Sequence, residues 1–212
     1  MRITKFEHAA LRIDEQDASL LIDPGSFTAP IDGLDRVVAV VITHEHADHW
    51  TPAHLDAVLT SAPNAKIFAP AGVAAAAGDY DITVVSPGDA VSAGPFSLRF
   101  FGGTHEVIHS SLPVVDNVGV LVNDAVYYPG DSYAVPGGVD VDVLAAPLSA
   151  PWLRIGDAFD FVTAVHARRV FGTHDIPLSD IGRSMHRGHL QRAVDGYGGQ
   201  FLALNPGDVL DV

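Results

Sequence analysis

The chain has 212 residues, 48% of them apolar and 18% charged, a balance that excludes a disordered or fibrous polypeptide and allows a substantial core. Its 26 acidic residues against 12 basic ones give a formal net charge of −14, which repels polyphosphate and argues against a nuclease or a nucleic-acid partner. An acidic surface kept for solubility accounts for that charge. No cysteine is present, so disulfides and zinc–thiolate sites are excluded. No apolar run is long enough to span a bilayer, and the opening Met1-Arg2-Ile3-Thr4-Lys5 lacks the form of a signal peptide. One cytoplasmic domain over residues 1–212, away from membranes, is therefore expected.

In chain order, residues 3–13 and 18–22 read as a hairpin around a polar turn at 14–17. The uncharged, β-branched run at 37–43 reads as a buried strand. Pro52 sits in the first turn of a helix over 52–61, where proline is accepted, and a strand over 66–69 follows. An alanine-rich helix at 72–78 is bounded by glycine at both ends. From 82 to 126 the pattern is strand throughout, at 82–85, 90–93, 96–102 and 118–122, with Pro-Gly, Gly-Pro and Asn-Asp between. Strands at 125–128 and 141–145 lead to an amphipathic helix at 155–167, a strand at 169–172 and a long helix at 178–196. Strands at 200–204 and 209–212 close the chain. Strands grouped before helices, with the grouping repeated, indicate two sheets face to face with helices outside. The runs 36–44 and 169–174 both begin Arg-Val and end Thr-His, a faint sign of internal duplication.

The chemistry gathers where the strand at 37–43 ends. Thr43-His44-Glu45-His46-Ala47-Asp48-His49 packs three imidazoles and two carboxylates into seven positions. Side chains alternate along a strand, so His44 and His46 face the same side, and Asp48 and His49 follow on the turn before the helix. Imidazole and carboxylate are ligands for divalent transition metals, and this density of donors is enough to surround a two-metal site. A polar loop that merely happens to be histidine-rich is the plain alternative. A buried strand feeding the cluster favours the metal reading.

Thr-His-x-His-x-Asp-His resembles the metal signature of the metallo-β-lactamase-fold hydrolases. That family also carries a later His, a later Asp and a last His. The matching positions are His105 in Gly-Gly-Thr-His, Asp131 in Tyr-Tyr-Pro-Gly-Asp-Ser and His174 in Phe-Gly-Thr-His-Asp. Phe6-Glu7-His8-Ala9, Leu21-Ile22-Asp23-Pro24-Gly25 and Pro147-Leu148-Ser149-Ala150-Pro151-Trp152 are similar to the ascorbate-phosphate-lactonase-like branch. The resemblance implies an α+β fold, a four-layer αββα sandwich of two mixed sheets with helices outside and metals at one edge. It assigns His44, His46 and His105 to one cation, Asp48, His49 and His174 to a second, and Asp131 as a bridge between them. Asp48 and Asp131 are the carboxylates expected to act directly in catalysis. Zinc is the first choice for both ions because every ligand is nitrogen or oxygen, with manganese or iron as alternatives. Two such ions about 3.5–4 Å apart draw the pKa of a shared water toward neutrality, giving a hydroxide that attacks a carbonyl or phosphorus centre.

Around this set the sequence offers softer candidates. His109, four residues beyond His105, competes with it as the third histidine. Asp131 is also explained as a turn carboxylate after Pro-Gly. Asp23 resembles the carboxylate that orients the histidine loop, against the alternative of an Asp-Pro-Gly turn. His8, Trp50, Tyr133 and Trp152 are candidates for hydrogen bonds or pocket walls, with core packing as the competing role. Ser132 and Ser149 are possible polar contacts, and Arg154 and Arg183 are phosphate-clamp candidates for which simple surface exposure competes. The lack of cysteine in the second metal position speaks against a β-lactamase, and His46 in place of a glutamate speaks against flavodiiron redox chemistry. The expected activity is metal-dependent hydrolysis of a small ester-like substrate, a lactone or a phosphoester. The alternatives are a phosphodiesterase acting on a nucleotide, lipid or RNA end, and a metal-stabilised binding protein without turnover.

Overall fold

A computed structural model describes all 212 residues. Strands β1 (Arg2–Lys5), β2 (Leu11–Glu15) and β3 (Ala18–Ile22) form an antiparallel meander, to which β4 (Val37–Val41), β5 (Lys66–Ala69) and β6 (Ile82–Val84) add in parallel. The C-terminal β14 (Val209–Asp211) pairs with β1, giving the order β14-β1-β2-β3-β4-β5-β6. The second sheet holds β7 (Ala90–Ala93), β8 (Phe96–Thr104), β9 (Asp116–Val122), β10 (Val126–Tyr128), β11 (Val143–Pro147), β12 (Arg169–Thr173) and β13 (Gln200–Leu202). Its order is β13-β12-β11-β10-β9-β8-β7, antiparallel from β7 to β10 and parallel from β10 to β13. The two sheets thus follow one plan, an antiparallel half continued by a parallel half. β4 holds the place of β11, and β5 that of β12. The Thr-His echo noted above therefore joins strands that are not equivalent, although the sheets themselves do repeat.

Strands buried on both faces read as unbroken apolar runs, as in β4 and β11. Between the sheets lies a core that includes Ile13, Leu20, Val41, Phe100, Val120 and Phe171. Helices α1 (Pro52–Ser61) and α2 (Ala71–Ala77) cover the outer face of the first sheet, burying Leu55, Val58 and Val73. Helices α3 (Ile155–Val165) and α4 (Asp180–Asp195) cover the second with Phe161, Val162, Leu190 and Val194. Helix α1 starts at Thr51, whose hydroxyl accepts the His54 N–H, and α4 at Ser179, which accepts from Gly182. The result is the four-layer αββα sandwich, and no helix is long and apolar enough to cross a membrane.

The structure differs from the sequence reading at several joints; the strand expected over 37–43 ends at Val41, and the one expected over 141–145 runs over Val143–Pro147. The first hairpin arm is two strands, because residues 6–10 leave the sheet in a tight loop closed by Phe6 N–H to Ala10 O, with His8 at φ 57°. Asp14 and Glu15 stay paired in β2, so the turn is only Gln16 and Asp17. Strand β8 runs on to Thr104, paired with Asp116. The consequence matters for chemistry: β1, β3, β4, β8, β10 and β12 all end at one edge of the sandwich. Open α/β sheets bind ligands at such carboxyl ends.

Candidate metal centre

The site is built from the loops that leave those six strand ends, together with the loop after β11 that brings Ser149 and Trp152. Asp23 is buried and accepts hydrogen bonds from the Thr43 N–H at 2.8 Å, the Thr43 hydroxyl at 2.7 Å and His49 Nδ1 at 2.6 Å. Because the Thr43 hydroxyl donates to Asp23, its oxygen accepts from His44 Nδ1 at 3.0 Å. His105 Nδ1 donates to the Glu106 carbonyl at 2.5 Å, and His174 Nδ1 to the Ser149 carbonyl. Each of these four imidazoles is therefore held through a proton on Nδ1 with Nε2 turned inward, the arrangement that orients metal-ligating histidines. Nε2 of His44, His49, His105 and His174, together with Asp131 Oδ1, is buried without a hydrogen-bond partner. A buried orphan costs about 1–3 kcal/mol, and five of them meeting at one point fit a cation-binding role.

Spacing supports the same conclusion. Ligands at about 2.1 Å around a tetrahedral ion lie about 3.4 Å from one another. Asp131 Oδ2 is 3.4 Å from His105 Nε2 and 3.2 Å from His174 Nε2, and Asp131 Oδ1 is 3.4 Å from His49 Nε2. Asp48 Oδ2 is 3.3 Å from His174 Nε2. Donor atoms fall into three sets, each within 4.8 Å: His44, His46 and His105; His8, Asp48, His49 and His174; and His44, His49 and Asp131. The two expected ligand groups are thus each brought together, Asp131 sits where they meet, and His8 joins the second. All seven expected ligand residues could hold metal in this arrangement.

Burial and charge divide the groups. Burial is the largest influence on His44 and lowers its pKa well below the usual imidazole value; burial also lowers His46 and His8. At His49 burial works against protonation, yet the carboxylates of Asp131 and Asp23 outweigh it and raise the pKa. At His174 the same contest is won by Asp131 and Asp48, raising the value to about 9. Burial opposes ionisation of Asp48, but the His174 ring beside it at 3.3 Å and the hydrogen bond from His8 hold it below the usual carboxylate range. Asp131 is likewise held low by His49 and His174 against burial. Neutral His8 donates from Nε2 to Asp48 Oδ2 at 3.1 Å, and its Nδ1 is left without a partner.

The softer candidates separate. Trp152 donates its indole N–H to Asp131 Oδ2 at 2.9 Å, and Tyr133 packs edge-on against Trp152 at 5.2 Å. His109 is exposed with its ring on Ser111, away from the donor sets. Trp50 belongs to the core under α1, and Ser132 bonds the Pro129 carbonyl. Arg154 pairs with Asp157 on the surface, while Arg183 faces Asp175 beneath His174. Two supports escaped the sequence reading. Buried Asn117 accepts from the Asp131 N–H at 3.0 Å and donates to the Pro129 carbonyl at 2.9 Å, fixing the loop that presents Asp131. Gly25 lies so close to the metal loop that a β-carbon would stand 1.8 Å from the Asp48 carbonyl oxygen. No periodicity marks the first; Asp-Pro-Gly was a turn signal for the second, without its packing role. His8, Asp23 and His174 all take left-handed backbone, three of the seven non-glycine residues that do. Such outliers concentrate where structure is held for function.

Comparison with known proteins gives a family model described as "Beta-lactamase superfamily domain" matching residues 2–174. Protein Rv0786c of Mycobacterium tuberculosis is 35% identical over 195 residues, covering 90% of this chain and 91% of that one. UPF0173 metal-dependent hydrolase RL2074 of Rhizobium johnstonii is 26% identical over 192 residues, covering 81% of each. Among solved structures, the metallo hydrolase Igni18 of Ignicoccus hospitalis superposes with a TM-score of 0.73 at 17% identity, over 99% of this chain and 97% of that one.

Proposed function

The chain belongs to the β-lactamase superfamily, and on that premise we propose a hydrolase that holds two divalent cations and cleaves a small ester-like molecule, a lactone or a phosphoester. The observation that carries this reading is the convergence of four orphaned imidazole Nε2 atoms on Asp131. His44, His46 and His105 would hold one ion and Asp48, His49 and His174 the other, with Asp131 shared. Zinc suits these donors, and manganese or iron is compatible with them. When bound, such ions supply Lewis acidity and bring a water's pKa toward neutrality.

The rest is work for the chain. Asp23 and the Glu106 and Ser149 carbonyls fix ring tautomers, so donor atoms point inward before any ligand arrives. Trp152 occupies one lone pair of Asp131 Oδ2 and leaves Oδ1 free. His8 holds Asp48 by a proton on Nε2. The buried floor excludes bulk water, and the substrate enters from the open side at His46, which is only half-buried. A small molecule is the partner this supports; the net charge of −14 disfavours nucleic acid.

The test is removal and return of metal. Chelated protein should lose hydrolysis on a panel of lactone, phosphodiester, phosphomonoester and thioester, and regain it with Zn²⁺ or Mn²⁺. Unchanged rates after complete metal removal, or two bound metals without turnover on any of the panel, would overturn the reading; the second result would indicate a binding protein.

A further inference from the structure

Large apolar side chains left in water are spread unevenly over this molecule. Of the eleven that are exposed, seven lie on segments leaving Asp23, His105, Asp131 or His174. Val107 is 57% exposed and Leu112 50%, with Ile108 and Val114 between and beside them, all between His105 and β9. Ile176 follows His174 by two residues, and the Phe27 ring stands edge-on at 5.0 Å from His8. The segment carrying the first four is pinned at its foot, by the His105 N–H to the Val115 carbonyl and the Glu106 N–H to the Asp131 carbonyl. Its apolar residues therefore lie on a loop that leaves the sandwich at the edge where the donor cluster sits. Exposed apolar groups gathered around a polar site mark a ligand surface rather than chance.

Charge at the same edge narrows the ligand. Residues 6–10, 23–33, 42–51, 105–115, 129–142, 148–154 and 174–179 contain one Lys or Arg among them, Arg154. Its side chain is 82% exposed and already paired with Asp157 at 3.5 Å. Glu7, Glu45 and Glu106 lie on these segments instead. A phosphorylated substrate would meet no guanidinium fork here, and acidic neighbours would repel it.

We propose that the segments rising from His105, His174 and Asp23 form a subsite for a hydrocarbon chain, so that the substrate is an uncharged ester or lactone with an apolar tail. This rests on the hydrolase reading and selects its carboxylic-ester arm over its phosphoester arm. A methylene fully removed from water favours binding about fourfold, so a half-open subsite yields roughly twofold per methylene.

The experiment uses metal-loaded protein and two parallel series. Straight-chain hydroxamic acids from two to ten carbons, whose head chelates metal, report binding by calorimetry; acyl esters of the same chains report turnover. Affinity and kcat/KM should both climb about two- to fourfold per methylene. The paired substitution Val107→Ser with Ile108→Ser should flatten both slopes, while Val84→Ser, exposed on edge strand β6, should keep them. Alkyl phosphates of equal length should bind more weakly than the hydroxamates. A flat series, or a slope that survives the paired substitution, overturns the subsite, as does apolar surface that serves only to make concentration-dependent dimers. Hydroxamates that show the slope while neither the esters nor anything on the lactone, phosphodiester, phosphomonoester and thioester panel is cleaved would retain the subsite and remove the hydrolase reading; short esters cleaved with no slope would do the reverse.

Discussion

The two donor clusters are built on opposite electrostatic terms. His44, His46 and His105 are imidazoles without a carboxylate of their own, and burial keeps His44 and His46 neutral. At the second cluster Asp131 and Asp23 raise His49, and Asp131 and Asp48 raise His174, so the metal-free protein carries protons where a cation would sit. The first cluster is open to metal without displacing anything, whereas the second would bind metal in exchange for protons. Loading should therefore be sequential at neutral pH, the first cluster filling before the second. Only Asp131 has oxygens facing both groups, within 4.0 Å of His44 and 3.4 Å of His49.

The largest effect is expected from abolishing that shared carboxylate. Asp131→Ala should lose both metals and lower turnover about a thousandfold or more, because the ions supply several kcal/mol to the barrier. Metal content by elemental analysis checks it, and two metals retained per chain would refute the bridging role.

Asp23→Asn separates the clusters. His49 bonds Asp23 directly, while His44 reaches it only through the Thr43 hydroxyl. Losing an orienting carboxylate weakens metal binding roughly 10–100-fold, and the loss should fall mainly on the second equivalent. Competition with a chromogenic chelator reads the two affinities, and equal losses would erase the distinction between the clusters.

Proton exchange gives a smaller but cleaner contrast. Folding raises His174 from 6.5 to about 9, so its charged form stabilises the metal-free protein fully below about pH 6.5. That contribution disappears as pH rises through about 9. Metal needs the neutral ring, so affinity for the second equivalent should rise across the same window. Calorimetry in buffers of different ionisation enthalpy should find protons released by the second equivalent and almost none by the first. Proton release shared evenly between them would contradict the asymmetry.

How much of this was legible from residues alone follows from range. The strand ending at Val41 and the dense donors after it are local features; His44 and His46 do meet, but on the loop beyond the strand, so the turn of that loop and not strand alternation brings them together. Helices α1 and α3 announced themselves through proline and apolar spacing. What the sequence hid is non-local. The Asp131 loop is held by Asn117, and Gly25 is required by a backbone passing from another strand; neither leaves a periodic trace. His105, Asp131 and His174 were found by family resemblance, since nothing in their own neighbourhoods says that they meet. The break at residues 6–10 was missed because the residues on both sides, Ile3-Thr4-Lys5 and Leu11-Arg12-Ile13, alternate as strand does, and only the left-handed His8 shows where the chain leaves the sheet.

The smallest expected effect is also the sharpest check on the first cluster. His105 and His109 lie four residues apart in one segment, and either satisfies a count of three histidines. The structure puts His105 Nε2 against Asp131 and His44, with its Nδ1 held by the Glu106 carbonyl, whereas His109 turns its ring to Ser111 in solvent. His109→Ala removes an exposed side chain with no buried partner, so stability should change by no more than about 0.5 kcal/mol and both metals should stay. His105→Ala deletes a donor and orphans the floor around Asp131, so the first equivalent should be lost. Should His109→Ala be the variant that empties the first cluster, the imidazole set would be His44, His46 and His109, and the segment above it would have to fold down over the metals.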